Sequence, residues 1–236
     1  MVADTLVYHP TVTKLITFLD STPKREKSFR LVAYLSRFLS YYLQRQGFSP
    51  ELVKVFKDLK THVTMIRKGM RFLKPLNHLQ AASKAFDNKL IDPILKNTTV
   101  LRNLGYAGYL SLDSLTWFKM LGLVDKKRFP TVSTWASRCW ALGLIAGLVN
   151  SLRLLSINSS KLESASSSSA DSEKPVDVKA IQVKIYQAKR KLIWDALDLF
   201  VALNTLDILH FTEGDVGLAG TITSIMGLKD QWVGTK

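Results

Sequence analysis

Leu52, Phe56, Leu59, Val63, Ile66, Met70 and Leu73 follow one another in alternating steps of four and three residues. Such steps return to the same side of a 3.6-residue turn, so the seven side chains form one stripe over less than half of a helix's circumference. A strand needs alternation at every second residue, and no stretch of the chain shows that with comparable strength. The predicted fold class is all-α, a helical membrane-associated protein with an N-terminal amphipathic helix region and apolar embedded or interfacial helices. The start of the striped helix is legible. Gly47 and Phe48 break the preceding pattern, Ser49 suits the N-cap, Pro50 the first helical position and Glu51 the positive helix end. Its other end is weaker: Gly69 costs roughly 1 kcal/mol relative to Ala and an interior Pro75 about 3, favouring a stop or kink near Lys74.

An apolar stripe can enter a protein core, a helix-helix seam or a membrane interface. Charge tilts the choice toward lipid. Lys54, Lys57, Lys60, Arg67, Lys68, Arg71 and Lys74 lie beside and opposite the stripe, and Lys60, Arg67 and Lys74, seven apart, flank its edge, where long stems reach phosphates. Residues 1–102 carry eleven of the fourteen net positive charges, which implies an anionic partner. No helix-turn-helix, aromatic RNA-binding motif or zinc-finger spacing accompanies the basic run, so nucleic acid is disfavoured and an anionic phospholipid membrane is the predicted partner. The seven stripe residues are the expected membrane-inserting set. Lys57, Lys60, Arg67, Lys68, Arg71 and Lys74 are the expected anionic-lipid contacts. Partial burial of the stripe contributes roughly 4 to 7 kcal/mol, and each basic residue near anionic lipid about 1 kcal/mol before screening.

The rest of the chain divides by texture. Residues 1–102 read as a basic helical region, with two helices in 11–46 around Asp20-Ser21-Thr22-Pro23 and the striped helix over 52–74. Helical patterning resumes through Leu79, Ala82, Phe86 and Leu90 and breaks at Asp92-Pro93. Residues 103–158 form an apolar helical membrane region. Within it the stretch from Arg138 to Arg153 is uncharged between its ends, shorter than the roughly 20 residues of a simple span unless the flank from Phe129 extends it and Arg138 snorkels. Gly143 and Gly147 are spaced for close helix approach, a weak signal alone. Residues 159–180, rich in serine and including Pro175, read as a disordered linker. Residues 181–236 hold a long helix with Ile185, Leu192, Leu199 and Leu206 at heptad spacing and a Lys191–Asp195 ion pair, then an apolar segment at 216–228 suited to a buried, re-entrant or partial element.

Catalytic chemistry has no sequence signature. His9, His62, His78 and His210 are scattered outside metal-binding spacings, Cys139 is the one cysteine, and Asp195, Asp198 and Asp207 read as ion pairs or bundle contacts. There is no Gly-rich phosphate loop and no nucleophile elbow. The expectation is a non-enzyme without cofactor or metal. The ends, Met1 to Leu6 and Val233 to Lys236, lack a secretory, transit or Ser-Lys-Leu signal, so any membrane address is expected to be internal.

Five blocks carry a family resemblance: Asp4-Thr5-Leu6-Val7-Tyr8-His9-Pro10, Arg71-Phe72-Leu73-Lys74-Pro75-Leu76-Asn77-His78-Leu79-Gln80-Ala81-Ala82, Tyr109-Leu110-Ser111-Leu112-Asp113, Leu192-Ile193-Trp194-Asp195-Ala196 and Thr223-Ser224-Ile225-Met226-Gly227-Leu228. In this order, over nearly the whole chain, they resemble the fungal peroxin eleven family. The resemblance implies a peroxisomal membrane location and insertion of an amphipathic helix into the cytosolic leaflet. It also implies organelle elongation and proliferation, self-association, and help in recruiting a dynamin-related fission GTPase and its membrane adaptor. By position, Leu52 to Lys74 matches the family's remodelling helix. A pore for small metabolites is the alternative function within that resemblance; a soluble helical adaptor is the alternative from outside it.

Overall fold

Proline and capping side chains set the starts of most helices. The computed structural model describes residues 7–89, 92–125, 127–167 and 178–235. Asp4 to Leu6, Leu90, Lys126, Lys236 and the part of the expected linker at 168–177, with Ser168, Ser169 and Pro175, lie outside the described residues. The helices are α1 Pro10–Asp20, α2 Thr22–Arg45, α3 Pro50–Met70, α4 Pro75–Asp87, α5 Pro93–Met120, α6 Val132–Ser167, α7 Val178–Thr205 and α8 Glu213–Val233. Among the described residues there is no strand. Pro occupies the start of α1, α2, α3, α4 and α5, where its missing N–H has no intrahelical partner to lose. Asp92 caps α5 by accepting from the N–H groups of Ile94 and Leu95 at 3.0 and 3.2 Å. Thr212 and Asp215 form a reciprocal capping box at the start of α8.

The chain folds as two compact units: residues 1–72, 113–132 and 207–236, and residues 73–112 and 133–206. In the first, α2 packs on both α3 and α8. The apolar segment at 216–228 is part of α8 and is buried in this packing. Gly214 and Gly220 face the rings of Tyr41 and Tyr34, and a Cβ on Gly217 would lie 2.6 Å from the Phe38 backbone nitrogen. Small residues every third position thus let an aromatic row of α2 close onto the α8 backbone. Arg30 crosses the same contact to donate to Thr223 Oγ1 at 2.9 Å.

The second unit has its core at Ala141, Leu144 and Ala202, with Tyr106, Trp140, Leu199 and Leu206 packed around them. Gly143 and Gly147 are used inside the chain. A Cβ on Gly105 of α5 would come within 2.8 Å of the Gly143 backbone, while Gly147 leaves room for the Arg102 guanidinium on its way to Asp195. Arg102 binds both carboxylate oxygens of Asp195, with Nη2–Oδ1 at 2.9 Å. Asp195, expected to pair with Lys191 on its own helix, is held by α5 instead. Asp198 is buried and accepts from Trp194 Nε1 at 3.1 Å; Asp207 is exposed beside His210.

Val132–Ala165, 34 residues, is the one helix among the described residues long and apolar enough to cross a membrane. Its charged limits are moderated. Arg153 pairs with Asp92 at 2.8 Å, and the Arg138 guanidinium lies over the Trp135 ring at 4.8 Å. Trp135, Leu142, Ile145, Val149 and Leu152 are exposed along it, whereas Ala141, Leu144 and Ser151 are buried. Two expected boundaries move. Residues 102 and 103 lie inside α5, and α6 continues to Ser167, with Ser160 Oγ donating to the Ser156 carbonyl at 3.2 Å and Ser164 Oγ to the Ser160 carbonyl at 2.9 Å.

Candidate membrane interface

Ser49 Oγ accepts the Leu52 N–H at 3.4 Å, and Pro50 and Glu51 occupy the first turn of α3. The helix ends at Met70, short of Lys74. Gly69 sits against Trp117, where a Cβ would lie 3.0 Å from the ring, and Phe72 then packs on Trp117 and Phe118 with centroids 6.0 and 5.6 Å away. Leu73 adopts φ 64°, a left-handed conformation costly for a branched residue, and the chain restarts at Pro75. Gly69 and Pro75 therefore mark a real break between two helices.

The stripe divides. Val63 is buried, Phe56 and Met70 are half-buried, and Leu52, Leu59 and Ile66 are 38%, 38% and 48% exposed at heptad spacing. Val55 joins them at 58%, three residues after Leu52 and four before Leu59, a spacing that already placed it beside the stripe. Leu73 is exposed but lies beyond the helix end. An apolar ridge along most of α3 is thus left without a covering neighbour.

Most of the basic residues meet acidic or amide partners within the first unit. Arg67 is buried and donates from Nε and Nη2 to Glu26 Oε1 at 3.0 and 2.9 Å. Lys68 and Arg71 share Asp113, with Arg71 Nη2 at 2.7 Å from Oδ2. Lys60 Nζ lies 3.2 Å from Glu213, which Arg37 also grips through two hydrogen bonds of 2.7 and 2.6 Å. Lys57 donates to Gln44 Oε1 at 3.0 Å. Lys74 precedes α4 in the second unit and is half-buried. Glu26, Asp113 and Glu213 are the residues that sequence reasoning missed. They lie 41, 45 and 153 positions from their partners on α3, so no local spacing reveals them.

These pairs set a pH dependence. Burial alone would raise the Glu26 carboxyl, but Arg67, with Arg71 and Lys27, more than offsets it and holds it at about 2. Hydrogen bonding from Arg37, against partial burial and with help from Lys60, holds Glu213 at about 2 as well. Carboxyls depressed in the folded state stabilise it above their unfolded values near 4.5, and that contribution is lost as pH falls through 2. Thermal unfolding followed by circular dichroism is expected to show a falling midpoint between pH 4.5 and 2. Glu26→Gln flattens that dependence.

Residues 12–232 match the family described as Peroxisomal biogenesis factor 11 (PEX11). Over the full length of both proteins the chain is 40% identical to Peroxisomal membrane protein PMP27 of Saccharomyces cerevisiae and 36% identical to Peroxisomal membrane protein PMP30B of Candida boidinii. It is 27% identical to Peroxisomal biogenesis factor 11 of Schizosaccharomyces pombe, over 96% of this chain and 97% of that protein. No solved structure matches it significantly. The full-length identities and the nearly complete family match agree: the chain belongs to the peroxisomal biogenesis factor 11 (PEX11) family of peroxisomal membrane proteins.

Proposed function

We propose that the protein elongates the peroxisomal membrane by laying α3 into the cytosolic leaflet, and so promotes organelle proliferation and fission without catalysing a reaction. The observation that carries this reading is the ridge of Leu52, Val55, Leu59 and Ile66, exposed to solvent on a helix that the folded unit leaves uncovered on that side. Partial burial of four such side chains in acyl chains is worth roughly 2 to 4 kcal/mol. A helix lying in one leaflet adds area to that leaflet alone, and the bilayer relieves the mismatch by curving. The partners under this reading are anionic phospholipid, further copies of the chain, and a dynamin-related fission GTPase with its membrane adaptor.

The internal ion pairs refine the mechanism. Arg67, Lys68 and Arg71 serve the fold, so α3 meets lipid as one face of a folded unit and not as a detached peptide. Val63 belongs to the core, which makes Leu59 and Ile66 the discriminating positions. Full-length protein carrying Leu59→Asp and Ile66→Asp is expected to keep its helical circular dichroism and lose tubulation of anionic liposomes. Tubulation equal to that of the unsubstituted chain would sink the wedge. Release of trapped small solutes without a change in vesicle shape would favour a pore, and extraction by alkaline carbonate a peripheral adaptor.

A further inference from the structure

Between α2, α3 and α8 lies a cavity of about 340 Å³ lined chiefly by Tyr41, Gln44, Lys57, Lys60, Thr61 and Glu213. That volume is at the lower end of the range of ligand pockets. Its charges do not balance. Arg37 engages both oxygens of Glu213, Lys60 is a second cation on the same carboxylate, and Lys57, among the described residues, meets the neutral amide of Gln44. Arg37, from outside the cleft, offsets Glu213, and Lys57 and Lys60 leave two positive charges in a cleft that Tyr41 and Thr61 also border.

We propose that this cleft binds a phosphomonoester. Such a group carries close to two negative charges at neutral pH and several strong acceptor oxygens, matching the two surplus ammonium charges. Its source follows from the helix geometry. Lys57 and Thr61 are each two residues from Leu59, about 200° around α3 from it, so with the ridge in the bilayer the cleft looks away from the lipid. The ligand is a small water-soluble phosphomonoester and not a headgroup of the same leaflet; this assignment of source rests on the membrane reading of the ridge. Bound there, it ties α2, α3 and α8 together and stabilises the unit that presents the ridge.

The test is thermal unfolding of the full-length chain in phosphatidylcholine vesicles with glycerol 3-phosphate, at ionic strength held constant with chloride. At ten times the dissociation constant the midpoint is expected to rise by about 3 to 6 °C. Lys57→Gln with Lys60→Gln abolishes the rise, while Lys54→Gln with Lys84→Gln, the same charge loss outside the cleft, preserves it. Glu213→Gln, which removes the competing anion, tightens binding several-fold and serves as a second variant should the lysine pair fail to fold. No rise, an equal rise in both lysine pairs, or weaker binding by folded Glu213→Gln overturns the site. A rise with phosphatidic acid in the vesicles but none with glycerol 3-phosphate overturns the soluble source. Leu59→Asp with Ile66→Asp keeps the ligand-induced rise even while tubulation is lost, so failure of the cleft and failure of the membrane wedge are read separately.

Discussion

Arg67→Ala is expected to destabilise the first unit by about 3 to 5 kcal/mol, because it strands the buried Glu26 carboxylate that both guanidinium hydrogen bonds now satisfy. Against a total stability on the order of 5 to 15 kcal/mol, that loss leaves a large unfolded or loosened fraction at physiological temperature. Arg67→Met combined with Glu26→Leu removes both charges and restores most of the midpoint, since a buried pair and a packed apolar pair of similar volume differ little. Thermal unfolding by circular dichroism distinguishes the two. A single variant as stable as the parent would show that Glu26 and Arg67 are hydrated and not buried. The result also bears on lipid electrostatics: neutralising Lys60, Arg67, Arg71 and Lys74 together would weaken vesicle binding through loss of the fold, so a clean test of lipid charge must leave Arg67, Lys68 and Arg71 intact.

Gly105→Ala has the next largest expected effect, and its sign runs against helix propensity. Ala normally gains about 1 kcal/mol over Gly in a helix interior. Here the added Cβ would lie 2.8 Å from the carbonyl oxygen of Cys139 and from the Cα and nitrogen of Gly143. These are backbone atoms that cannot rotate away, and forced separation of packed helices costs about 1 to 3 kcal/mol beyond the propensity gain. A net loss of about 1 to 3 kcal/mol is expected, seen as a lower unfolding midpoint with unchanged helical content. Gly122→Ala tests a different constraint, because that residue has open space but φ 79°.

The two variants mark where sequence reasoning reached and where it stopped. The beginning of α3 was legible since Ser49, Pro50 and Glu51 act within one turn of chain. So was the weakness at Gly69 and Pro75: the helix stops four residues before Lys74, where the Pro75 ring would meet the Arg71 carbonyl if the helix ran on. The stripe was legible as a stripe. Which of its members are covered was not, because periodicity gives a helix's apolar side but says nothing about the width of the neighbour that packs on it; Val63 is buried and Leu59 and Ile66 stay in the open. The basic residues carried the least legible outcome. A lysine or arginine beside an apolar edge reads the same whether it awaits a phosphate or a carboxylate, and the carboxylates of Glu26, Asp113 and Glu213 arrive from three other helices.

The apolar segment at 216–228 shows the same limit from the other side. Its length and lack of charge suited a buried, re-entrant or partial element, and what meets it lies nearly two hundred residues earlier, the Tyr41 and Tyr34 rings against Gly214 and Gly220 and the Phe38 backbone against Gly217. The Gly143 and Gly147 pair likewise had the right spacing for close approach. What approaches Gly143 is α5 of the same chain, and what Gly147 admits is the Arg102 side chain.

The most direct measurement is the depth of α3 in a bilayer, taken with full-length Cys139→Ser protein labelled through single cysteines at Leu59, Ile66 or Lys54 with an environment-sensitive dye. With the ridge in the leaflet, the labels at 59 and 66 are quenched by nitroxides on the acyl chains and shielded from aqueous iodide, while the label at 54, about 140° around the helix from 59, shows the reverse. Equal access of iodide to all three positions, with no acyl-chain quenching at 59 or 66, would contradict the proposal that α3 acts as a membrane wedge.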